Sequence, residues 1–124
     1  MHATSPTSPF APLPEQLPND TQAIAALLPA SDLSAWRDRI RAGQVQANAV
    51  LEACVARTND AACAHAFIGT RFDDARREAA SARPESALAG LAVSIKDLFD
   101  VAGEVSAAGS VVLADAPAAR SRAT

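Results

Sequence analysis

Leu88-Ala89-Gly90-Leu91-Ala92-Val93-Ser94-Ile95-Lys96-Asp97-Leu98-Phe99-Asp100 is the most apolar and strand-like run of the chain, and it holds the chain's single lysine. The other ten basic residues are all arginine. Lysine can lose its proton when desolvated and then act as a base, whereas arginine stays charged. Alternation along Leu91–Lys96 predicts a strand with Leu91, Val93 and Ile95 on one face and Ala92, Ser94 and Lys96 on the other. Lys96 then shares its face with small side chains that leave room for a pocket. Asp97, Asp100, Gly103 and Gly109 mark a turn-rich stretch beyond the strand end, where open α/β sheets place their sites.

Working outward, the chain reads as helical cover for that strand. A short helix is expected from residue 20 or 21 to Leu28, ended by Pro29. A second starts at Ser31 as N-cap, carries Leu33, Trp36 and Ile40 on its apolar stripe and closes at Gly43. A third runs from about Ala47 to Thr58, with Val50, Leu51, Cys54 and Val55 inward. Ala64–Ile68 reads as a short strand ending at Gly69. A fourth helix, Arg71–Arg83, lines up Phe72, Ala75, Ala79 and Ala82. Its charged face suits i,i+4 pairs such as Asp73 with Arg77. Residues 1–20 hold five of the eight prolines and read as a proline-rich, disordered tail. The fold expectation is α/β, with 21–124 as a portion of one domain.

Composition removes several function classes. The apolar fraction is 49%, but 31 of the 124 residues are alanine, so the available core is thin. The net charge of −3 and the absence of a basic run give nucleic-acid binding no electrostatic support. Cys54 and Cys63 form no metal-ligand pattern, and His65 alone is not a site. No cofactor or metal is expected. No segment is long and apolar enough to span a membrane, and no secretory signal is recognisable, so the default location is cytoplasmic.

Three readings of Lys96 stay open from the residues alone. It could be a neutral base for a serine nucleophile. It could remain charged and pair with Asp97, Asp100 or an anionic ligand. It could be a structural lysine reaching from a strand end to water. Ser94, two residues away on the same face, makes a local Ser-Lys dyad conceivable, but no strained turn or helix start nearby exposes it.

Leu88 to Gly103, followed by Ser106-Ala107-Ala108-Gly109-Ser110, closely resembles the first signature block of the amidase signature family. There, a Leu-Ala-Gly-Val-Pro-Val-x-Ile-Lys-Asp strand leads to Thr-Thr-x-Gly-Ser. Ala64-His65-Ala66-Phe67 is similar to that family's Leu-Asn-Ala-Phe pattern. The resemblance implies a mixed central sheet covered by helices, and Lys96 as the base of a Ser-cisSer-Lys triad. The activity it implies is hydrolysis of a small-molecule amide to a carboxylate and ammonia or an amine. The chain departs from the pattern at Ser106-Ala107, where Thr-Thr is usual, and at Ala92, where proline is common. The Gly-Gly-Ser-Ser-Gly block, which supplies both serines and the oxyanion loop, is absent. The expectation is therefore an amino-terminal portion that is inactive alone. Within the same family the alternative is the glutaminase subunit of a tRNA-dependent amidotransferase, with partner subunits; a hydrolase could instead be a homo-oligomer. Outside the family, the alternative is a non-enzymatic helical interaction module.

Overall fold

The computed structural model describes residues 9–120, which form two compact units that part between Ala92 and Val93. The division falls inside the signature stretch. Its first half belongs to a helical unit, and its second half, with Lys96, to a unit of turns.

Among the described residues the helical unit holds four α-helices: α1 (Thr21–Leu27), α2 (Leu33–Arg41), α3 (Ala47–Arg57) and α4 (Phe72–Ser81). Asp20 caps α1, its carboxylate accepting the Ala23 N–H at 2.9 Å. Pro29 does not stop the chain from turning, because Leu28–Ala30 continues as one turn of 3-10 helix with the proline in its first positions. The expected cap of α2 shifts by one residue. Asp32 is the N-cap, accepting from Ala35 N at 2.8 Å, while the buried Ser31 hydroxyl donates to the Ala11 carbonyl at 3.3 Å.

Gly43 ends α2 as expected, at φ +70°. Its N–H bonds the Ile40 carbonyl at 2.9 Å and the Gln44 N–H bonds the Arg39 carbonyl at 3.0 Å, the paired closure of a Schellman motif. In α4, Asp73 and Asp74 lie in the first turn, where carboxylates complement the helix dipole.

Helix α3 is the centre of this unit, with α1 and α4 both packed against it. Ile24, Ala25, Trp36, Ile40, Val45, Val50 and Ala53 form one buried cluster that also takes in Leu13 and Ala89. Leu33, expected on the α2 stripe, is 52% exposed, because the stripe turns away from the core at the helix start. Arginines tie the elements together. Arg57 donates to the Ala25 carbonyl at 3.3 Å. Arg76 grips Glu52 with two bonds of 2.6 and 3.0 Å. Arg41 donates to Pro84 O and Ser86 O at 3.2 and 3.0 Å, holding the loop after α4. The charged face of α4 pairs at i,i+3 rather than i,i+4: Asp73 meets Arg76 at 3.0 Å, and Asp74 meets both Arg71 and Arg77.

Of the proline-rich tail, residues 1–8 lie outside the described residues. Residues 9–19 form no helix, but Leu13 is buried in the core cluster. Arg39 donates to three successive carbonyls there, Leu13 O (3.3 Å), Pro14 O (2.7 Å) and Glu15 O (2.9 Å), and to Gln44 Oε1 (2.6 Å).

Neither expected strand forms among the described residues. Ala61–Cys63 is a 3-10 turn, and His65 adopts a left-handed backbone at φ 64°, so Ala64–Ile68 cannot be straight. Leu91–Lys96 carries no ladder, and Val93 and Ile95 are 62% and 58% exposed. The physical reason is that a strand is a paired object: its amides need a neighbouring strand and its apolar face needs a covering layer. Residues 9–120 supply no pairing strand to this run and cover only Leu91 of its apolar face.

Candidate active site

Two Ala-Gly pairs shape the signature stretch. Ala89 (φ 52°) and Gly90 (φ 86°) are both left-handed, and the Leu91 N–H bonds the Leu88 carbonyl at 2.9 Å. That combination is a type I′ turn, the mirror-image turn that demands positive φ at both central positions. Ala108 (φ 51°) and Gly109 (φ 74°) repeat it, with Ser110 N–H on the Ala107 carbonyl at 2.8 Å.

The first turn is wedged into the helical unit. Ala89 is 1% exposed, and a Cβ placed on Gly90 would stand 2.9 Å from the Cβ atoms of both Ala47 and Ala82. Only a residue without a side chain lets the turn reach the start of α3 and the residue just past α4 together.

The second turn belongs to the unit that carries Lys96. Lys96 is exposed, and its carbonyl accepts from Leu98 N (2.6 Å) and Phe99 N (3.1 Å) to bend the chain sharply after it. The neighbouring carboxylates are engaged elsewhere. Asp97 accepts the Ala107 N–H through Oδ1 at 3.0 Å and the Gly109 N–H through Oδ2 at 3.4 Å. The Ser106 hydroxyl lies 2.8 Å from Asp100 Oδ1 and 3.1 Å from Phe99 O. The ion pair to Asp97 or Asp100 that the sequence leaves open is therefore not the arrangement found, and among the described residues no hydrogen bond joins Ser94 to Lys96. Gly103 N to Ala119 O (2.9 Å) and Ala119 N to Glu104 O (2.8 Å) close this unit.

Composition and motif single out Lys96 but not the role of its neighbours. The signal for them was present in outline: carboxylates at 97 and 100, then a hydroxyl at 106 and small residues at 107–109 whose amides a carboxylate can approach. Elsewhere, His65 is exposed on its turn. Burial raises the Cys54 thiol above its ordinary range, partly offset by the Arg57 charge. Hydrogen bonds from Arg76 hold the Glu52 carboxyl below its ordinary range against a smaller opposing effect of burial. These groups lie in the helical unit. Among the described residues no group of three or more His, Cys, Asp or Glu could hold a metal, and no helix is long and apolar enough to cross a membrane.

The sequence profile of the family described as Amidase matches residues 49–123. The A-type subunit of the Dinoroseobacter shibae glutamyl-tRNA(Gln) amidotransferase is 38% identical over 87 residues, covering 65% of this chain and 18% of that protein. Its counterpart from Roseobacter denitrificans, also a glutamyl-tRNA(Gln) amidotransferase subunit, is 34% identical over 87 residues, with the same shares. The chain thus spans under a fifth of the length of these curated relatives. No solved structure matches.

Proposed function

The chain belongs to the Amidase family, and on that premise we propose that Lys96 is the proton acceptor of an enzyme that hydrolyses a carbon–nitrogen amide bond. The observation that carries this reading is position. The single lysine of the chain stands in the Ile95-Lys96-Asp97 segment, inside the matched residues, and in the signature pattern that this segment resembles the corresponding lysine is the base. In the chemistry the resemblance implies, the neutral amine takes a proton relayed through a bridging serine. A second serine oxygen then adds to the amide carbonyl. The proton returns to the leaving nitrogen as the tetrahedral adduct collapses, and water cleaves the resulting ester to a carboxylate.

The 124 residues contain no Gly-Gly or Ser-Ser pair, so on this reading both serines and the oxyanion loop come from outside them. The same holds for the desolvation a basic lysine needs, since Lys96 is exposed. Ser106 keeps a hydroxyl at the first Thr position of the family pattern, and that hydroxyl bridges Phe99 and Asp100. This supports a positional requirement for an oxygen there rather than for threonine.

A second reading is favoured by the relatives: the glutaminase subunit of a glutamyl-tRNA(Gln) amidotransferase, which would release ammonia from glutamine for a partner protein. The test is hydrolysis by the whole protein. Lys96→Met is expected to abolish turnover and Lys96→Arg not to rescue it. Full activity of Lys96→Arg would overturn the base role. Hydrolysis of simple amides without glutamine or a partner favours the first reading; glutamine hydrolysis that rises with a partner protein favours the second. The 124-residue chain alone is expected to give no turnover.

A further inference from the structure

We infer that Asp97 is a positioning residue for Lys96: its carboxylate clamps the 107–109 turn and thereby fixes the backbone from which the lysine projects. This rests on the reading of Lys96 as the base. Asp97 directly follows Lys96, so whatever holds the Asp97 side chain also holds the peptide between the two. The hold is two-handed, with Oδ1 on the Ala107 amide at 3.0 Å and Oδ2 on the Gly109 amide at 3.4 Å.

A carboxylate is suited to this task because, when ionised, it accepts through both oxygens, whereas an amide side chain offers one acceptor and two donors. The turn it grips has a reason to relax. Ala108 sits at φ 51°, a left-handed conformation that disfavours a side chain, and is exposed, so no core packing holds it. A second contact reinforces the first: the Ser106 hydroxyl reaches Asp100 Oδ1 and the Phe99 carbonyl, fastening the segment just after Lys96 to the residue just before the turn. The segments 96–100 and 106–110 therefore move as one piece, and Asp97 is the residue that touches both Lys96 and the turn. Catalytic groups displaced by an ångström lose much of their rate without losing substrate affinity, which makes the expected signature a kcat effect.

The experiment has a structural arm and a kinetic arm. In the wild-type 124-residue chain, the Ala107 amide is expected to exchange its hydrogen about ten-fold slower than the Ala108 and Val111 amides, which have no hydrogen-bond acceptor among the described residues, after correction for intrinsic rates, with a smaller slowing at Gly109. Equal rates would overturn the clamp, and this arm needs no variant. Asp97→Ala is expected to erase the protection at both amides and Asp97→Asn at one. In the whole protein, Asp97→Asn is expected to lower kcat about ten-fold or more with KM changed by less than about two-fold. Unchanged kcat, or a loss appearing in KM alone, would overturn the positioning role even if the clamp is present. Should Lys96→Met retain activity, the base reading fails, while the exchange arm still reports on the clamp separately.

Discussion

Replacing Gly90 with alanine forces a methyl group into a space that two other methyl groups already bound. The new Cβ would lie 2.9 Å from the Cβ of Ala47 and 2.9 Å from the Cβ of Ala82. Carbon atoms pack best at about 3.5–4.0 Å, so two contacts are short by well over half an ångström at once. Neither neighbour can rotate away, because an alanine has no torsion that moves its Cβ; the start of α3 and the chain after α4 would have to shift. Overpacking of this kind costs about 1–3 kcal/mol. The φ of +86° adds a second penalty, since a side chain in the left-handed region costs about 1–2 kcal/mol, partly offset by the lower entropy of the unfolded alanine chain.

The sum is a loss of about 2–4 kcal/mol, a large share of the stability of a small domain. Gly43→Ala is the control. Gly43 lies in the same unit at φ +70° with nothing within 4 Å of its would-be Cβ, so it isolates the conformational penalty of about 1 kcal/mol. Urea unfolding of the wild type and both variants, followed by far-UV circular dichroism, gives the two differences directly. Adding Ala82→Gly to Gly90→Ala removes one of the two contacts and is expected to return part of the loss. If Gly90→Ala is no more destabilising than Gly43→Ala, the close approach of the signature turn to α3 and α4 does not exist in solution.

Other substitutions probe the remaining features. Arg39→Lys loses the planar fork that reaches three carbonyls of residues 13–15 and is expected to cost about 1–2 kcal/mol and to speed proteolysis near Leu13; unchanged cleavage would refute the strap. Ala108→Asn places a residue more tolerant of left-handed backbone in the exposed turn and is expected to slow exchange of the Ser110 amide; faster exchange there would count against the turn. Glu52 has its pKa lowered on folding by Arg76, so it contributes stability above its unfolded value near 4.5, and that contribution is lost as the pH falls through the lower folded value. Glu52→Gln is therefore expected to flatten the acid side of the stability–pH profile below about pH 5. An acid limb identical to that of the wild type would refute it.

The helices and the chemical candidate are written in local sequence. Helical spacing of Trp36 and Ile40, of Val50 and Cys54, and of Ala75 and Ala79 is a local property, and capping at Asp20 and closure at Gly43 act within a turn or two of chain. Hence four helices were legible with small errors at their ends, such as Asp32 rather than Ser31 as the cap of α2. Lys96 was legible because composition isolates it and the surrounding motif resembles a known family, to which residues 49–123 also match.

Everything that depends on a distant partner came from the folded chain instead. Apolar alternation at Leu91–Lys96 and Ala64–Ile68 signals a capacity for strand. Pairing, however, is supplied by another segment, and residues 9–120 contain none that pairs with either. The need for glycine at position 90 lies in two alanines, Ala47 and Ala82, which no local pattern brings together. The carboxylate of Asp97 looked like a partner for the lysine beside it. Folding placed the amides of Ala107 and Gly109 within its reach, on the type I′ turn centred at Ala108-Gly109, ten and twelve residues further along the chain.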